Sequence, residues 1–296
     1  MPNFDVIVVG GGPGGATCAW KSAEAGLKVL LLDRAASFPR YKPCGGGIPA
    51  SLADHIDGLE PDKFSDLSVT QLRHSWKGKD PILAEMTRAN GEAAEVWMVQ
   101  RPRFDSWIVE KAKAAGATVL TGERVKEVQF LDDETVQVSS ITGKTWTARH
   151  VVGADGAKGI VGGCVGLRLK RRYGIAREIE IPFENVSVWH PDLEESACYL
   201  DYGTVKNGYA WIFPKAGFLS VGAGMLLPKK PSQDVENNVG HVLKRAIDIL
   251  LESVGMKYPD GEDAPKLWDT LFPTGRVWND WQRPMGERFL WEMRRE

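Results

Sequence analysis

The chain is poor in the features that mark membrane spans, secreted scaffolds and nucleic-acid binders. No apolar run in its 296 residues approaches the ~20 that a bilayer-crossing helix needs, and no charged n-region with an apolar core opens it. Cysteine is scarce: Cys18, Cys44, Cys164 and Cys198 stand far apart, with no C-x-x-C pair. That spacing argues against a disulfide framework and a zinc site, so no metal is expected, and it suits a reducing, cytoplasmic setting. Neither sign of charge dominates. Lys and Arg number 37 against 39 Asp and Glu, a net charge of -2, and the longest basic block is Lys170-Arg171-Arg172. Nucleic-acid binding, which needs a basic stripe, is therefore not expected. The histidines (His55, His74, His150, His190 and His241) are scattered and offer no obvious general base.

What is present points to a globular chain with a sizeable core, since 43% of the residues are hydrophobic and 26% charged. Glycine (32) and tryptophan (11) are both high. The glycines are informative at once. Asn3 to Val9 is a short apolar, β-branched run, as expected for a strand buried on both faces. Gly10-Gly11-Gly12-Pro13-Gly14-Gly15 follows, then a helical stretch from Ala16 to Ala25, then a second buried strand from Lys28 to Leu32 that ends in Asp33-Arg34. This is one βαβ unit with G-x-G-x-x-G at Gly10, Gly12 and Gly15. Gly10 permits the tight turn, Gly12 lets a pyrophosphate approach the backbone, and Gly15 lets the helix pack on the sheet. The helix N-terminus offers N–H groups to phosphates, and Asp33 stands where an acid accepts from ribose hydroxyls. An acid there disfavours a 2′-phosphate, which points to FAD or NAD and away from NADP.

A second constellation follows. Phe38 to Pro49 contains Lys42-Pro43-Cys44-Gly45-Gly46-Gly47, which suits neither a helix nor a regular strand and lets the chain pass close to a planar ligand. Gln100-Arg101-Pro102-Arg103-Phe104-Asp105 opens a helix to about Ala115, followed by a strand at Gly116 to Leu120. Val125 to Ser139 and Lys144 to His150 alternate like hairpin strands, and Val151 to Gly156 is a strand ending in an acid and a glycine.

These segments resemble the flavoprotein monooxygenase-type FAD superfamily and, within it, the geranylgeranyl reductases. Gly10 to Gly15 match the superfamily's first FAD grip, and Gly153-Ala154-Asp155-Gly156 match its second. Arg101 with Phe104-Asp105 resembles the R-x-x-F-D whose arginine contacts the cofactor. The Lys42 to Pro49 stretch is close to the reductases' K-P-C-G-G signature. Tyr209-Ala210-Trp211-Ile212-Phe213-Pro214, with the later Val221-Gly222-Ala223-Gly224, is close to their Y-x-W-x-F-P and V-G-x-G.

The resemblance implies an α/β fold: a Rossmann-like FAD-binding domain (1–66 and 98–164) with an inserted antiparallel-sheet substrate domain (67–97 and 165–285). Within the latter, Val186 to Trp189, Cys198 to Tyr202 and Tyr209 to Phe213 read as strands. Val235 to Val254 reads as a helix with an apolar stripe through Val239, Val242, Leu243, Ala246, Ile247, Leu250 and Leu251. FAD would be bound by Gly10, Gly12, Pro13, Gly14, Gly15, Asp33, Arg34, Cys44, Gly45, Gly46, Arg101, Val125, Asp155 and Gly156. The implied reaction is reduction of isoprenoid double bonds, with Tyr209 and Trp211 lining an apolar tunnel and Cys44 near the flavin, where it packs or donates a proton. No second G-x-G-x-x-G exists, so NAD(P)H would bind transiently or a ferredoxin would serve as electron donor. Trp268, Trp278, Trp281 and Trp291 crowd the last residues as a core, a dimer contact, or a greasy wall for an isoprenoid or a peripheral membrane contact.

The rival readings are a flavin monooxygenase or halogenase on an aromatic substrate, and a non-catalytic remnant that binds nucleotide or prenyl lipid. The superfamily's third grip, a strand into G-D-A-A-G, has no match; Asp260-Gly261-Glu262-Asp263 follows a proline without an apolar strand before it. Gly286 to Trp291 reads as the start of that strand, in a segment 286–296 where the chain stops. Truncation and a natural short form both account for this, truncation the better, and the expectation is a chain that is poorly soluble or flavin-poor.

Overall fold

The computed structural model describes residues 2–166, 172–183, 197–227, 233–256 and 268–274. The first unit is β1 (Phe4–Val9), α1 (Pro13–Glu24) and β2 (Val29–Leu32). Val6 to Val9 of β1 and all of β2 are buried, because alternate residues feed two separate cores. Val6, Val8, Val29 and Leu31 pack with α1, while Ile7, Val9, Leu30 and Leu32 pack on the opposite face. A run that is apolar at every position is what a strand covered on both sides requires.

The chain continues through β3 (Gly47–Pro49), a single 3₁₀ turn at Ala50–Asp54, α2 (Pro61–Phe64), β4 (Ser65–Val69), β5 (Gln71–Trp76), β6 (Lys79–Glu85) and β7 (Val96–Val99). Next come α3 (Arg101–Ala114), β8 (Thr118–Leu120), β9 (Val125–Phe130), β10 (Val136–Ser140), β11 (Thr145–Gly153) and α4 (Val161–Cys164). The remaining elements are β12 (Arg172–Pro182), β13 (Ala197–Tyr202), β14 (Gly208–Lys215), β15 (Phe218–Leu226), α5 (Gln233–Ser253) and β16 (Trp268–Thr274).

Three sheets result. The first has the order β8-β2-β1-β11-β10-β9, with β8, β2, β1 and β11 parallel and β10 and β9 joined antiparallel. Helices α1 and α3 cover one face through Ala16, Ala19, Trp20, Phe104, Ile108 and Val109. The second sheet has seven strands, β16-β12-β15-β14-β13-β5-β6. Helix α5 covers one of its faces, burying Leu243, Ala246, Ile247 and Leu250 against Ile179, Ile212, Val221 and Ala223. Val242, placed on the helix's apolar stripe by its spacing, is instead 39% exposed at the stripe's margin.

Residues 67–97 do not enter one antiparallel sheet with the later strands. Strands β5 and β6 join the seven-stranded sheet, whereas β4 and β7 form a separate three-stranded sheet with β3. The reason is local pairing: Gly47, Ile48 and Pro49 register with Met98, Trp97 and Val96, which draws β7 to the glycine loop. The seven-stranded sheet also has one parallel junction, β13 beside β5, with Leu200 opposite His74.

Among the described residues, no helix is long and apolar enough to cross a membrane and no group of three or more His, Cys, Asp or Glu is placed to hold a metal ion. Val186 to Trp189, Asp260 to Asp263, Trp278, Trp281, Trp291 and the segment 286–296 lie outside the described residues.

Candidate functional site

The glycine turn between β1 and α1 is closed tightly on one side and open on the other. Gly10 has a φ of +105°, and a Cβ there would strike the Ala154 carbonyl, so only glycine suits the position. A Cβ at Gly15 would strike the Gly10 carbonyl, so the start of α1 and the end of β1 are in direct backbone contact. Gly12 and Gly14 differ. A Cβ at Gly12 would meet only the Arg40 Nη2 at 3.4 Å, and one at Gly14 would meet nothing within 4 Å. Pro13 takes the first helical position, where its missing N–H costs nothing. No side chain caps the helix, and no acid lies in its first turn.

Asp33 is buried beneath this turn. Its Oδ2 accepts the Gly11 N–H at 2.6 Å and its Oδ1 accepts the Ala35 N–H at 2.7 Å. The sequence assigned this carboxylate to ribose hydroxyls; its short contacts here are to main chain, with one further lone pair left on each oxygen. Arg34 beside it is exposed. Arg40 reaches over from the next loop, with its Nε 4.0 Å from Asp33 Oδ2 and its Nη2 3.2 Å from Asp105 Oδ2. Arg101, at the head of α3, grips Asp105 from the other side through Nε at 2.7 Å and Nη2 at 3.0 Å. Burial opposes the Arg101 charge, and the Asp105 carboxylate outweighs it and raises the pKa. A chain of contacts thus runs from the glycine turn through Asp33, Arg40 and Asp105 to Arg101.

Residues of the second glycine segment lie beside the same turn. The Asp155 backbone N is 2.9 Å from where a Gly10 Cβ would stand, and its carboxylate accepts the Ile160 and Val161 N–H groups at 2.6 and 3.1 Å. Gly156 adopts a φ of +81° next to it. Val125, assigned to the cofactor, has its side chain in the core with Val9 and Leu32. Its main chain pairs with Ser140 at the end of the β9–β10 ladder.

FAD is the group this turn has to be tested against. Three observations fit it: α1 opens on a glycine turn with no capping side chain, Gly12 and Gly14 leave the approach clear, and Arg40 Nε is buried without a hydrogen-bond partner. A guanidinium whose Nη2 borders the Gly12 approach, beside an uncapped helix N-terminus, suits a phosphate.

The Lys42 to Gly47 loop then passes over the face of the seven-stranded sheet that α5 does not cover. Along β14, period-two alternation sets Tyr209, Trp211, Phe213 and Lys215 on that face. Their rings form a row, with centroids 6.0 Å apart from Tyr209 to Trp211 and 6.2 Å from Trp211 to Phe213. Tyr202 and His74 extend it across β13 and β5. Gly45 lies directly on the row: a Cβ there would be 3.0 Å from Phe213 and 3.1 Å from Trp211 Nε1. Gly222 makes room in turn for the Trp211 indole. Trp211 is buried and Tyr209 is 43% exposed at the open end.

Cys44 itself is exposed, with Arg101 along the same cleft. It shares a cleft with Tyr41, Lys42, Arg101, Glu180 and Lys215. Its backbone N–H donates to Glu178 Oε1 at 3.1 Å, the Tyr41 hydroxyl donates to Glu180 at 3.3 Å, and the Tyr41 ring packs on Trp268 at 4.5 Å. Burial lifts the Glu178 carboxyl to about 7 and draws the Lys215 ammonium down to about 8. Lys42 is also lowered, by burial and by the neighbouring Arg101 and Arg40 charges. Sequence reasoning named Cys44, Trp211 and Arg101 but missed Arg40, Glu178, Glu180 and Lys215. The available signals were the Phe38 to Pro49 loop, which holds Arg40, the Gly208 to Lys215 motif, and the charge at every second position in Glu178-Ile179-Glu180-Ile181.

A family model described as the FAD binding domain matches residues 3–212. The chain is 36% identical to the geranylgeranyl diphosphate reductase of Rhodobacter capsulatus over 238 residues, which is 78% of this chain and 57% of that protein. It is 32% identical to digeranylgeranylglycerophospholipid reductase 2 of Methanopyrus kandleri over 275 residues, 87% of this chain and 63% of that protein. It therefore spans about three fifths of the length of these curated relatives. Among solved structures, a geranylgeranyl bacteriochlorophyll reductase-like protein from Thermoplasma acidophilum superposes with a TM-score of 0.71 at 24% identity, covering 93% of this chain and 67% of that one. A myxobacterial chondrochloren halogenase shares the fold with a TM-score of 0.63 at 21% identity, covering 90% of this chain and 63% of that one.

Proposed function

The chain belongs to the FAD-binding domain family, and from that premise we propose that it carries the cofactor and substrate surfaces of an oxidoreductase that reduces double bonds of a geranylgeranyl group. The observation that carries this reading is the aromatic row Tyr209–Trp211–Phe213 lying directly under the Cys44–Gly45 turn. An isoprenoid has no charge near its double bonds, so its recognition falls to such an apolar wall and to a polar anchor at the head. The names of the two reductases above support the same substrate class.

When bound, FAD supplies the hydride chemistry from its central ring. The chain's own residues do the rest. The Gly10–Gly15 turn, Arg40 and the α1 N-terminus bind the phosphates, and Arg101 and Asp155 flank the same group. Asp33, Arg34, Gly156 and the main chain of Val125 belong to the nucleotide end. Tyr209 and Trp211 hold the prenyl chain and exclude water, while Cys44, at the meeting point, packs against the alkene or gives it a proton. The sheet of β1 and the seven-stranded sheet thus divide cofactor and substrate between them. NAD(P)H or a ferredoxin delivers electrons, and the prenyl tail is drawn from a membrane surface that the protein touches peripherally. A halogenase would share the fold but has no use for a cysteine–triglycine turn.

The test is direct. The protein is purified, titrated with FAD, reduced anaerobically with dithionite and incubated with geranylgeranyl diphosphate or a digeranylgeranyl phospholipid. Gain of H2 per double bond in the product, read by mass spectrometry, supports the reading. Halogenation of an aromatic substrate when the reduced protein is exposed to O2 and halide, with no prenyl reduction, would replace it with the halogenase reading.

A further inference from the structure

Lys215 continues the face of β14 that carries the aromatic row, yet it is only 2% exposed. Its ammonium donates to the Gly46 carbonyl at 3.0 Å and the Val99 carbonyl at 3.1 Å, and approaches the Met98 sulfur at 3.8 Å. None of these acceptors is a carboxylate. Burying this side chain costs desolvation, so its two hydrogen bonds to the loop carbonyls must offset that cost. Glu178, also 2% exposed, holds the other end of the same loop through the Cys44 N–H. The two carbonyls that Lys215 joins are themselves linked, because the Val99 N–H donates to the Gly46 carbonyl at 2.8 Å. Gly46 needs this support, as its φ of +65° brings its backbone against Val99.

We propose that Lys215 and Glu178 are positioning residues for Cys44, seating the Cys44–Gly47 turn on the aromatic row through a donor held at one end of the turn and an acceptor at the other. The inference rests on the proposed function only in treating Cys44 as part of the reacting end. The groups facing the ammonium are Glu178 and Glu180 from β12, Asp66 from β4 and Cys198 from β13. Cys44 comes from the loop, and Lys42 and Arg101 line the same cleft. Burial outweighs the acidic members of this set and lowers Lys215 to about 8; the neutral amine keeps two N–H donors for the two carbonyls, so the seat holds above that pH.

Hydrogen–deuterium exchange of the purified chain reads this without any turnover. After correction for the intrinsic rate, the Cys44 and Val99 amides should be protected in wild type at pH 7 and remain so at pH 9.5. Lys215→Met should lower protection at Cys44 and Val99 about tenfold, the loss expected for one charge-assisted hydrogen bond, with Ala210 and Ile212 unaffected. Lys215→Arg, which keeps donors for both carbonyls, should restore it. Glu178→Gln keeps an acceptor for the Cys44 N–H and should retain protection, whereas Glu178→Ala should lose it at Cys44 alone. Wild-type protection that collapses between pH 7 and 9.5, or Lys215→Met as protected as wild type, overturns the proposal. The functional reading fails separately, if loop protection behaves as stated and the protein reduces no prenyl substrate.

Discussion

Arg40 Nη2 meets Asp105 at 3.2 Å and stands 3.4 Å from where a Gly12 Cβ would be, so one guanidinium is tied to helix α3 and borders the glycine turn. Structure and binding are thereby separable at a single residue. Arg40→Met should weaken FAD affinity about tenfold or more by flavin-fluorescence titration, since a hydrogen bond to a charged group is removed. The same variant should cost little in a urea melt, because Arg101 still neutralises Asp105.

Asp105 should behave in the opposite way. It is buried and accepts from Arg101 twice while pairing with Arg40. Asp105→Ala would strand two partly buried cations, so stability should drop by about 3–5 kcal/mol in denaturant unfolding. A loss under 1 kcal/mol would mean that the network carries no structural weight.

The glycines of the turn should divide by what a Cβ would meet. Gly12→Val projects past Arg40 into the open approach, so the protein should fold and lose nucleotide binding. Gly15→Val collides with the Gly10 carbonyl and should not yield folded protein. Circular dichroism with an FAD titration distinguishes the two. Full nucleotide binding by Gly12→Val would remove the assignment of the pyrophosphate to this turn.

Along the aromatic row, the open and buried ends should differ. Tyr209→Ala, at an exposed position, should raise KM for a prenyl substrate with a stability change of about 1 kcal/mol or less. Trp211→Ala empties a buried site over Gly222 and should cost about 3–5 kcal/mol. Steady-state kinetics paired with thermal melts separates these outcomes.

Glu178 sets a sign for the dependence of stability on pH. Its carboxyl is raised to about 7 in the folded chain from an ordinary 4.5, so the folded state holds its proton more tightly. Its contribution is present below about 4.5 and is lost as pH rises to about 7, by a few kcal/mol at most. Lys215, lowered to about 8 from 10.5, acts in the other direction, and stability should recover as pH rises from about 8 toward 10.5. Urea midpoints across this range should dip near neutrality, and Glu178→Gln should flatten the acid side. A wild-type curve without a dip would contradict the burial of both charges.

How much of this was legible follows from how local each signal is. The unit β1–α1–β2 could be read because its glycines, apolar runs and terminal acid sit within one short stretch. Its helix starts at Pro13, earlier than the apolar pattern suggests, because proline is at home in a first turn. The row of Tyr209, Trp211 and Phe213 was visible as a motif, but its meeting with Gly45 depends on strands far apart in the chain. Arg40 and Lys215 look like ordinary surface cations in sequence, and only the fold buries them. The parallel junction of β13 with β5 left no trace at all, because pairing direction is set by the connection and not by the residues that pair.

Strand β6 has a consequence of its own. It is exposed along its whole length and ends the seven-stranded sheet among the described residues, with Ile82 66% and Leu83 51% exposed. Such a rim is a template on which a stray β-segment can grow. Pro81 withholds one N–H from that template, and Lys79, Asp80 and Glu85 surround the two aliphatic side chains with charge. The border of the sheet is therefore guarded by residue chemistry, and exchanging Pro81 for a β-branched residue would turn a quiet margin into a nucleus for fibres.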